Sequence, residues 1–201
     1  AGINVDLVSP KADISKYKLV LTPDLHIMPD TLADKLNAYV QKGGVLLADC
    51  RTAVKDETNL CHERTLPGLL SEMLGIRIEE YGALGDDIQF TVGNKTGFDG
   101  SFTAIKYVDW LTPESAETIA NYPEQWHMES FAAVTRNSHG KGIGWYVGTV
   151  IKEDAFYDKL VSKLLEDADI EGLIKPPLGV EISVREGNGK KLLFLINHTK
   201  E

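Results

Sequence analysis

The sequence is short of cysteine, of long apolar runs and of clustered positive charge, and each shortage removes a class of protein. Two cysteines in 201 residues, Cys50 and Cys61, are too few for a disulfide framework, and a reducing, cytoplasmic compartment is the simpler expectation. Ten residues separate them, whereas structural zinc sites pair cysteines across about two to four. His62 adjoins Cys61, and neighbours in sequence do not easily ligate one ion together, so neither a metal nor a cofactor is expected, even with His26 added. The longest apolar stretches, such as Leu192 to Ile196, run four or five residues, far below the roughly 20 that span a bilayer. A net charge of -9 with no run of five Lys or Arg repels nucleic acid and anionic lipid rather than steering them in. No charged segment followed by an apolar one stands at the start, as a signal peptide requires. The first residue is Ala, and the last five, Asn197 to Glu201, follow directly on an apolar run; a trimmed piece of a longer protein is the expectation.

What remains is ordinary globular composition, 43% hydrophobic and 25% charged. Asn4 to Val8 and Lys18 to Thr22 are short β-branched and leucine-rich runs that predict strands buried on both faces. Between Pro29 and Lys42 the residues Leu32, Leu36, Tyr39 and Val40 recur at helical spacing, with proline near the first turn and Gly43-Gly44 after the last. Val45 to Ala48 follows at once as a strand, giving an α/β unit with a parallel pair. A short helix over Gly68 to Leu74 and a strand over Ile76 to Glu80 continue the alternation. Glycines at 82, 85, 93, 97 and 100 break residues 81–131 into short strand-like pieces, and Thr112 to Glu117 predicts a brief helical turn. Ala132 to Arg136 and Gly144 to Gly148 predict an antiparallel pair joined by the loop Asn137 to Ile143. Phe156, Leu160, Val161, Leu164 and Leu165 mark a helix from about Glu153 to Asp167. Pro176-Pro177 stiffens a linker, after which Val180, Ile182 and Val184 alternate and Gly187-Asn188-Gly189 turns the chain into Lys191 to Asn197, the start of an all-β segment.

Candidate chemistry is sparse. The adjacent carboxylates Glu79-Glu80, Asp86-Asp87 and Asp56-Glu57 point to opposite faces of a strand or into solvent, whereas a retaining glycosidase holds its two carboxylates about 5 Å apart across the scissile bond. Cys50 follows a strand, as a hydrolase nucleophile does, but Asp49 and Arg51 flank it where a strained elbow needs glycine; it reads as a small, half-buried hydrophobe. Gly140 to Gly144 leads into a strand rather than the helix a phosphate loop requires. Trp110, Trp126 and Trp145 could stack on sugars but read first as core or interface anchors. Arg51 is the polar residue to single out: at a strand end, with Asp56, Glu57 and Asn59 near enough to hold it, it is assigned a loop-fixing or subunit-contact role.

Four segments share an order and spacing. They are Tyr17 to Met28 before the helix and Gly43-Gly44, then Arg51 with Asp56-Glu57-Thr58-Asn59, then Leu66-Pro67-Gly68 into Leu74-Gly75-Ile76, and last Ala133 to Asn137 with Gly140-Lys141-Gly142 and Tyr146 to Thr149. Together they resemble the trimerisation domain of glycoside hydrolase family 42 β-galactosidases, and Leu193 to Thr199 is similar to a strand of the small β domain that follows in that family. The resemblance implies a flavodoxin-like, class I glutamine amidotransferase-like three-layer α/β sandwich with a mostly parallel sheet over residues 1–174, and a truncated C-terminal β domain over 175–201. It also implies a non-catalytic assembly role in a β-galactosidase that hydrolyses terminal β-D-galactosides. The catalytic (β/α)₈ barrel would lie upstream, and that barrel and the neighbouring subunits of a homotrimer would be the partners. The family's domain opens with one more strand and helix than is found before Gly2. Two other readings stay open, an amidotransferase-like hydrolase using Cys50 and a carbohydrate-binding module.

Overall fold

A computed structural model describes residues 3–94, 98–123, 130–172, 176–177 and 179–200. The first parallel unit forms where its sequence pattern points. Strand β1 (Leu19–Thr22) pairs in parallel with β2 (Val45–Asp49), Leu19 opposite Val45. Helix α1 (Asp30–Gln41) links them and buries Ala33, Leu36, Tyr39 and Val40. Pro29 caps it at φ -63, where the missing N–H costs nothing, and its carbonyl accepts from the N–H groups of Leu32 and Ala33. Gly43 leaves the helix at φ 116, a conformation side chains resist. A Cβ on Gly44 would stand 2.2 Å from the Tyr39 ring, so the tight helix-to-strand link depends on that glycine.

A 3₁₀ turn (Gly68–Leu70) and a single helical turn α2 (Ser71–Leu74) lead through Gly75 into β3 (Ile76–Ala83). There follow β4 (Phe90–Asn94), β5 (Ser101–Pro113), β6 (Glu117–Asn121), β7 (Ala132–His139), β8 (Gly142–Val147), β9 (Thr149–Ile151) and α3 (Asp154–Asp167). The nine strands form one sheet in the order β1-β2-β8-β7-β6-β4-β5-β3, with β9 on β5. This corrects the expected mostly parallel sheet. Among the described residues β1, β2 and β8 run parallel, and every other ladder is antiparallel. The cause lies in 81–131, where the strands follow one another at intervals of ten residues or fewer; a parallel neighbour needs a crossover of about a dozen residues or more.

Three local expectations change as well. Thr112 to Glu117 is not helical: Thr112 and Pro113 close β5, and the N–H groups of Glu114, Ser115 and Ala116 converge on the Gly75 carbonyl before β6 starts. That tertiary anchor overrides the local capping signal. The pair β7–β8 turns through Gly140 and Lys141 alone, with His139 opposite Gly142, because Gly140 supplies φ 61. Asn4 to Val8 forms no strand and is largely exposed. Instead of a backbone ladder, the Asn4 amide side chain donates to the Val184 carbonyl (3.1 Å) and accepts from its N–H (3.4 Å).

Alternation along β2 and β8 decides which residues meet which helix. Leu46, Ala48 and Tyr146 point to the face covered by α1 and α2, where Met28, Leu70, Met73, Leu74 and Leu111 complete a buried cluster. Each of the leucine and methionine side chains contributes about 1.5–3 kcal/mol by leaving water. Trp145 points to the other face, toward α3. There Asp167 accepts from its indole N–H (2.7 Å) and, in a fork, from Nε and Nη2 of Arg136 (2.9 and 2.8 Å). Phe156 of α3 packs edge-on against Phe98 and Phe102.

Residues 13–169 make this compact unit. Residues 1–12 with 170–201 make a second, built on the antiparallel hairpin β10 (Val180–Gly187) and β11 (Lys190–Asn197), which turns at Asn188-Gly189. Leu192 to Ile196 are exposed on both faces of that hairpin. The expected boundary at 174–175 falls outside the described residues.

Candidate functional site

The polar groups gather at the carboxyl ends of β1 and β2, where α/β folds place their sites. β2 ends in Asp49, whose Oδ1 accepts from the Asp24 N–H (2.9 Å) and the Thr52 hydroxyl (3.1 Å). Cys50 and Arg51 follow, and Arg51 turns at φ 69. Its backbone N–H donates to Oδ2 of Asp109 (3.2 Å), which also accepts from the Tyr146 hydroxyl (2.7 Å). Asp109 is fully buried in the middle of β5, and its Oδ1 has no hydrogen-bond partner. Burial pushes its carboxyl up, against the pull of the Tyr146 hydroxyl, the Arg51 N–H and the Arg51 charge.

Arg51 itself is held differently from the sequence expectation. Its guanidinium lies 3.8 Å from the centroid of the Tyr81 ring and 5.3 Å from that of Tyr107, and those rings stack at 6.3 Å. No described hydrogen bond or ion pair joins it to Asp56, Glu57 or Asn59, because those three follow a second sharp turn, where Asp56 and Asn59 bond within their own loop and Glu57 faces solvent. Asp56 Oδ1 accepts from the N–H (2.8 Å) and hydroxyl (2.7 Å) of Thr58 and from the Leu60 N–H (3.1 Å). The Thr58 hydroxyl, then the Leu60 N–H, hold the Asp56 carboxyl below its ordinary range. Asn59 accepts from Lys55 Nζ (3.0 Å), and Glu57 is exposed. The loop is also laced to the one after β1: Ala53 N–H donates to the Leu25 carbonyl, Val54 and Lys55 to that of His26, and Met28 back to Lys55.

Chemically, this arrangement is poor in reactive groups. Burial, then the Asp109 and Asp49 carboxylates, push the Cys50 thiol up to about 12, so at neutral pH it stays protonated and is no nucleophile. Asp86-Asp87 lie on an exposed turn; Glu79 is tied to Arg77 (3.0 Å), and Glu80 is exposed on the same strand. Trp145 is core, Trp110 packs on Phe131 at 5.6 Å, and Trp126 lies outside the described residues. Among the described residues no group of three His, Cys, Asp or Glu could hold a metal, and no helix is long and apolar enough to cross a membrane. Sequence reading missed Asp109 and Tyr146. The signal was there: Asp109 is a lone charge inside the apolar run Tyr107 to Leu111, which a buried strand tolerates only with partners.

These features define a mixed α/β domain in which the described polar groups at the ends of β1 and β2 hold loops in place. The chain belongs to the beta-galactosidase trimerisation domain family, which matches residues 1–171. Beta-galactosidase BgaA of Clostridium cellulovorans is 32% identical over 200 residues, covering 100% of this chain and 30% of that protein. LacZ of Heyndrickxia coagulans is 29% identical, covering 100% and 29%. The crystal structure of the beta-galactosidase from Bacillus circulans sp. alkalophilus superposes with a TM-score of 0.93 at 29% identity, over 100% of this chain and 30% of that one. That of the haloarchaeon Halorubrum lacusprofundi gives 0.84 at 30%, over 100% and 29%. The chain thus spans less than a third of the length of these relatives.

Proposed function

We propose that this chain is the non-catalytic assembly domain of a longer, cytoplasmic β-galactosidase that removes terminal non-reducing β-D-galactosyl groups and works as a homotrimer. The observation that carries this reading is the family match over 1–171 together with full coverage of this chain by under a third of each relative. The remaining two thirds of such a protein would hold the (β/α)₈ barrel, against which this domain also packs. Residues 1–174 would be the assembly domain, a diverged class I glutamine amidotransferase-like sandwich, and 175–201 the start of a C-terminal β domain. Helices on both faces of β1, β2 and β8 support the sandwich. The high thiol pKa of Cys50 argues against a cysteine hydrolase on the same scaffold. Arg51, stacked on Tyr81, fixes the turn that opens the loop carrying Asp56, Glu57 and Asn59.

The test has two arms. The isolated chain should not turn over a chromogenic β-galactoside, and turnover abolished by replacing one of its own carboxylates would overturn the non-catalytic assignment. The longer protein that carries this segment should be a trimer by light scattering at micromolar concentration; a monomer would overturn the assembly role.

A further inference from the structure

The tip of the hairpin β10–β11 joins a reactive dipeptide to an open setting. Of the eight asparagines in the sequence, Asn188 alone precedes a glycine. The pair turns at φ 50 and φ 73, the two positive values that a two-residue hairpin loop of Asn-Gly adopts. Gly187, Asn188, Gly189 and Lys190 are all exposed. Among the described residues the Asn188 amide group makes no hydrogen bond, and the Gly189 N–H donates to no backbone carbonyl. A Cβ built on Gly187 or on Gly189 would meet nothing within 4 Å, so no neighbour holds the Asn188 side chain away from the peptide that follows it. Other asparagines are tied down. Asn37 donates to the Ala33 carbonyl (2.9 Å) and Asn137 to that of Met73 (2.9 Å), while Asn59 accepts from Lys55 Nζ (3.0 Å) and Asn197 from the Thr199 N–H (2.9 Å). The sheet that carries the turn has two strands only; such hairpins are marginally stable by themselves, and their ends open at little cost.

We propose that Asn188 is a site of spontaneous covalent modification, deamidated through a cyclic imide closed by the Gly189 nitrogen, with water as the co-reactant. The Gly189 nitrogen bonds to Asn188 Cγ, the Cγ–Nδ2 bond breaks, and Nδ2 leaves as ammonia carrying the proton that the Gly189 nitrogen gives up. Glycine has no side chain to crowd this closure. Water then adds to one of the two ring carbonyls. Breaking the new bond to Cγ leaves aspartate, whereas breaking the original backbone C–N bond leaves isoaspartate, and neither route oxidises or reduces anything. The two products differ in what they do to the hairpin. Asp-Gly suits the same pair of positive φ values, so the aspartate form keeps the turn and adds one negative charge close to Lys190 and Lys191. Isoaspartate puts an extra carbon into the main chain. A two-residue loop lengthened in this way no longer sets Gly187 opposite Lys190, and the ladder is released from its turn end.

The test incubates the folded chain in warm, mildly alkaline buffer beside a urea-unfolded sample. Isoelectric focusing follows the added charge, and peptide mass spectrometry with enzymatic isoaspartyl methylation locates and types the product. In the folded chain Asn188 should react roughly tenfold faster or more than any other asparagine, giving both aspartate and isoaspartate. Hydrogen exchange on the separated forms should show protection lost at Gly187 and Lys190 in the isoaspartyl form and kept in the aspartyl form and in Asn188→Asp. If Asn188 stays intact in the folded chain while the unfolded sample loses it, the turn holds the amide away from the Gly189 nitrogen and the proposal falls. It falls also if another asparagine reacts first, or if aspartate is the sole product, as direct hydrolysis without a ring would give. Equal protection in the two separated forms would overturn the effect on the ladder.

Discussion

Replacing Tyr146 with phenylalanine should weaken the fold by an amount that depends on pH, and the sign follows from Asp109. The hydroxyl donates to Asp109 Oδ2 at 2.7 Å inside a fully buried site, and a hydrogen bond to a charged group is worth about 1.5–3 kcal/mol. At about 2–4 °C per kcal/mol for a chain of this size, the expected fall in melting temperature is roughly 3–12 °C. Asp109 is a carboxyl whose folded pKa lies above its unfolded value, chiefly through burial. The stability it contributes is fully present below the unfolded pKa of about 3.9 and is lost as pH rises through the folded pKa. The Tyr146 hydroxyl restrains that rise, so its removal pushes the carboxyl higher and enlarges the loss. The Tyr146→Phe deficit should therefore be larger at about pH 7.5 than at about pH 4.5. Urea unfolding followed by near-ultraviolet circular dichroism at both pH values measures it. Asp109→Asn, which keeps the acceptor oxygen and removes the titration, should make the cost of Tyr146→Phe independent of pH. Equal deficits at the two pH values with Asp109 intact would refute the reasoning.

Gly142→Ala should cost about 3 kcal/mol or more, since a Cβ there would lie 2.2 and 2.3 Å from the backbone carbonyl oxygens of Val40 and Gly44. A urea midpoint near that of the unaltered chain would show that this junction is looser than described. Arg136→Lys replaces a forked contact to Asp167 with a point charge and should cost about 1–2 kcal/mol by thermal unfolding; no change would mean the fork adds nothing to the packing of α3. Cys50→Ser should fold normally, within about 1 kcal/mol; loss of an amidase or hydrolase activity with the fold unchanged would restore the thiol-hydrolase reading.

Local pattern was informative where one element buries one face. The helical stripe Leu36, Tyr39 and Val40, the glycines that follow it, and the Phe156, Leu160 and Leu164 stripe all lie where their spacing points. The parallel pair β1–β2 and the hairpin β10–β11 were equally legible. The long strand β5 was not, because it bends past two irregularities, between Ile105 and Val108 and opposite Ile78 and Glu80, and serves several partners along its length. Its pattern of exposure changes with each partner, so no single period survives in the sequence. Val5 and Leu7 show the converse, an alternation suited to a strand that finds no ladder. At the site, Arg51 follows the end of β2 as its place in the sequence implies, but its partners are not its sequence neighbours. Tyr81, Tyr107 and Asp109 come from β3 and β5, and only the antiparallel part of the sheet brings them to the end of β2.

The parallel register of β2 with β8 also sets an order of events during folding. Val45 pairs with Ile143, roughly a hundred residues later, and pairings so distant in sequence are slow to form. While the chain is being made, the apolar strand Val45 to Ala48 has β1 on one edge and nothing on the other until the antiparallel strands have been synthesised. At about 5–20 residues per second that interval is several seconds or more. The residues of the β1–α1–β2 unit are thus all synthesised several seconds before β8 can close it, and for that time the unpaired edge of β2 is open to chaperones or to mispairing.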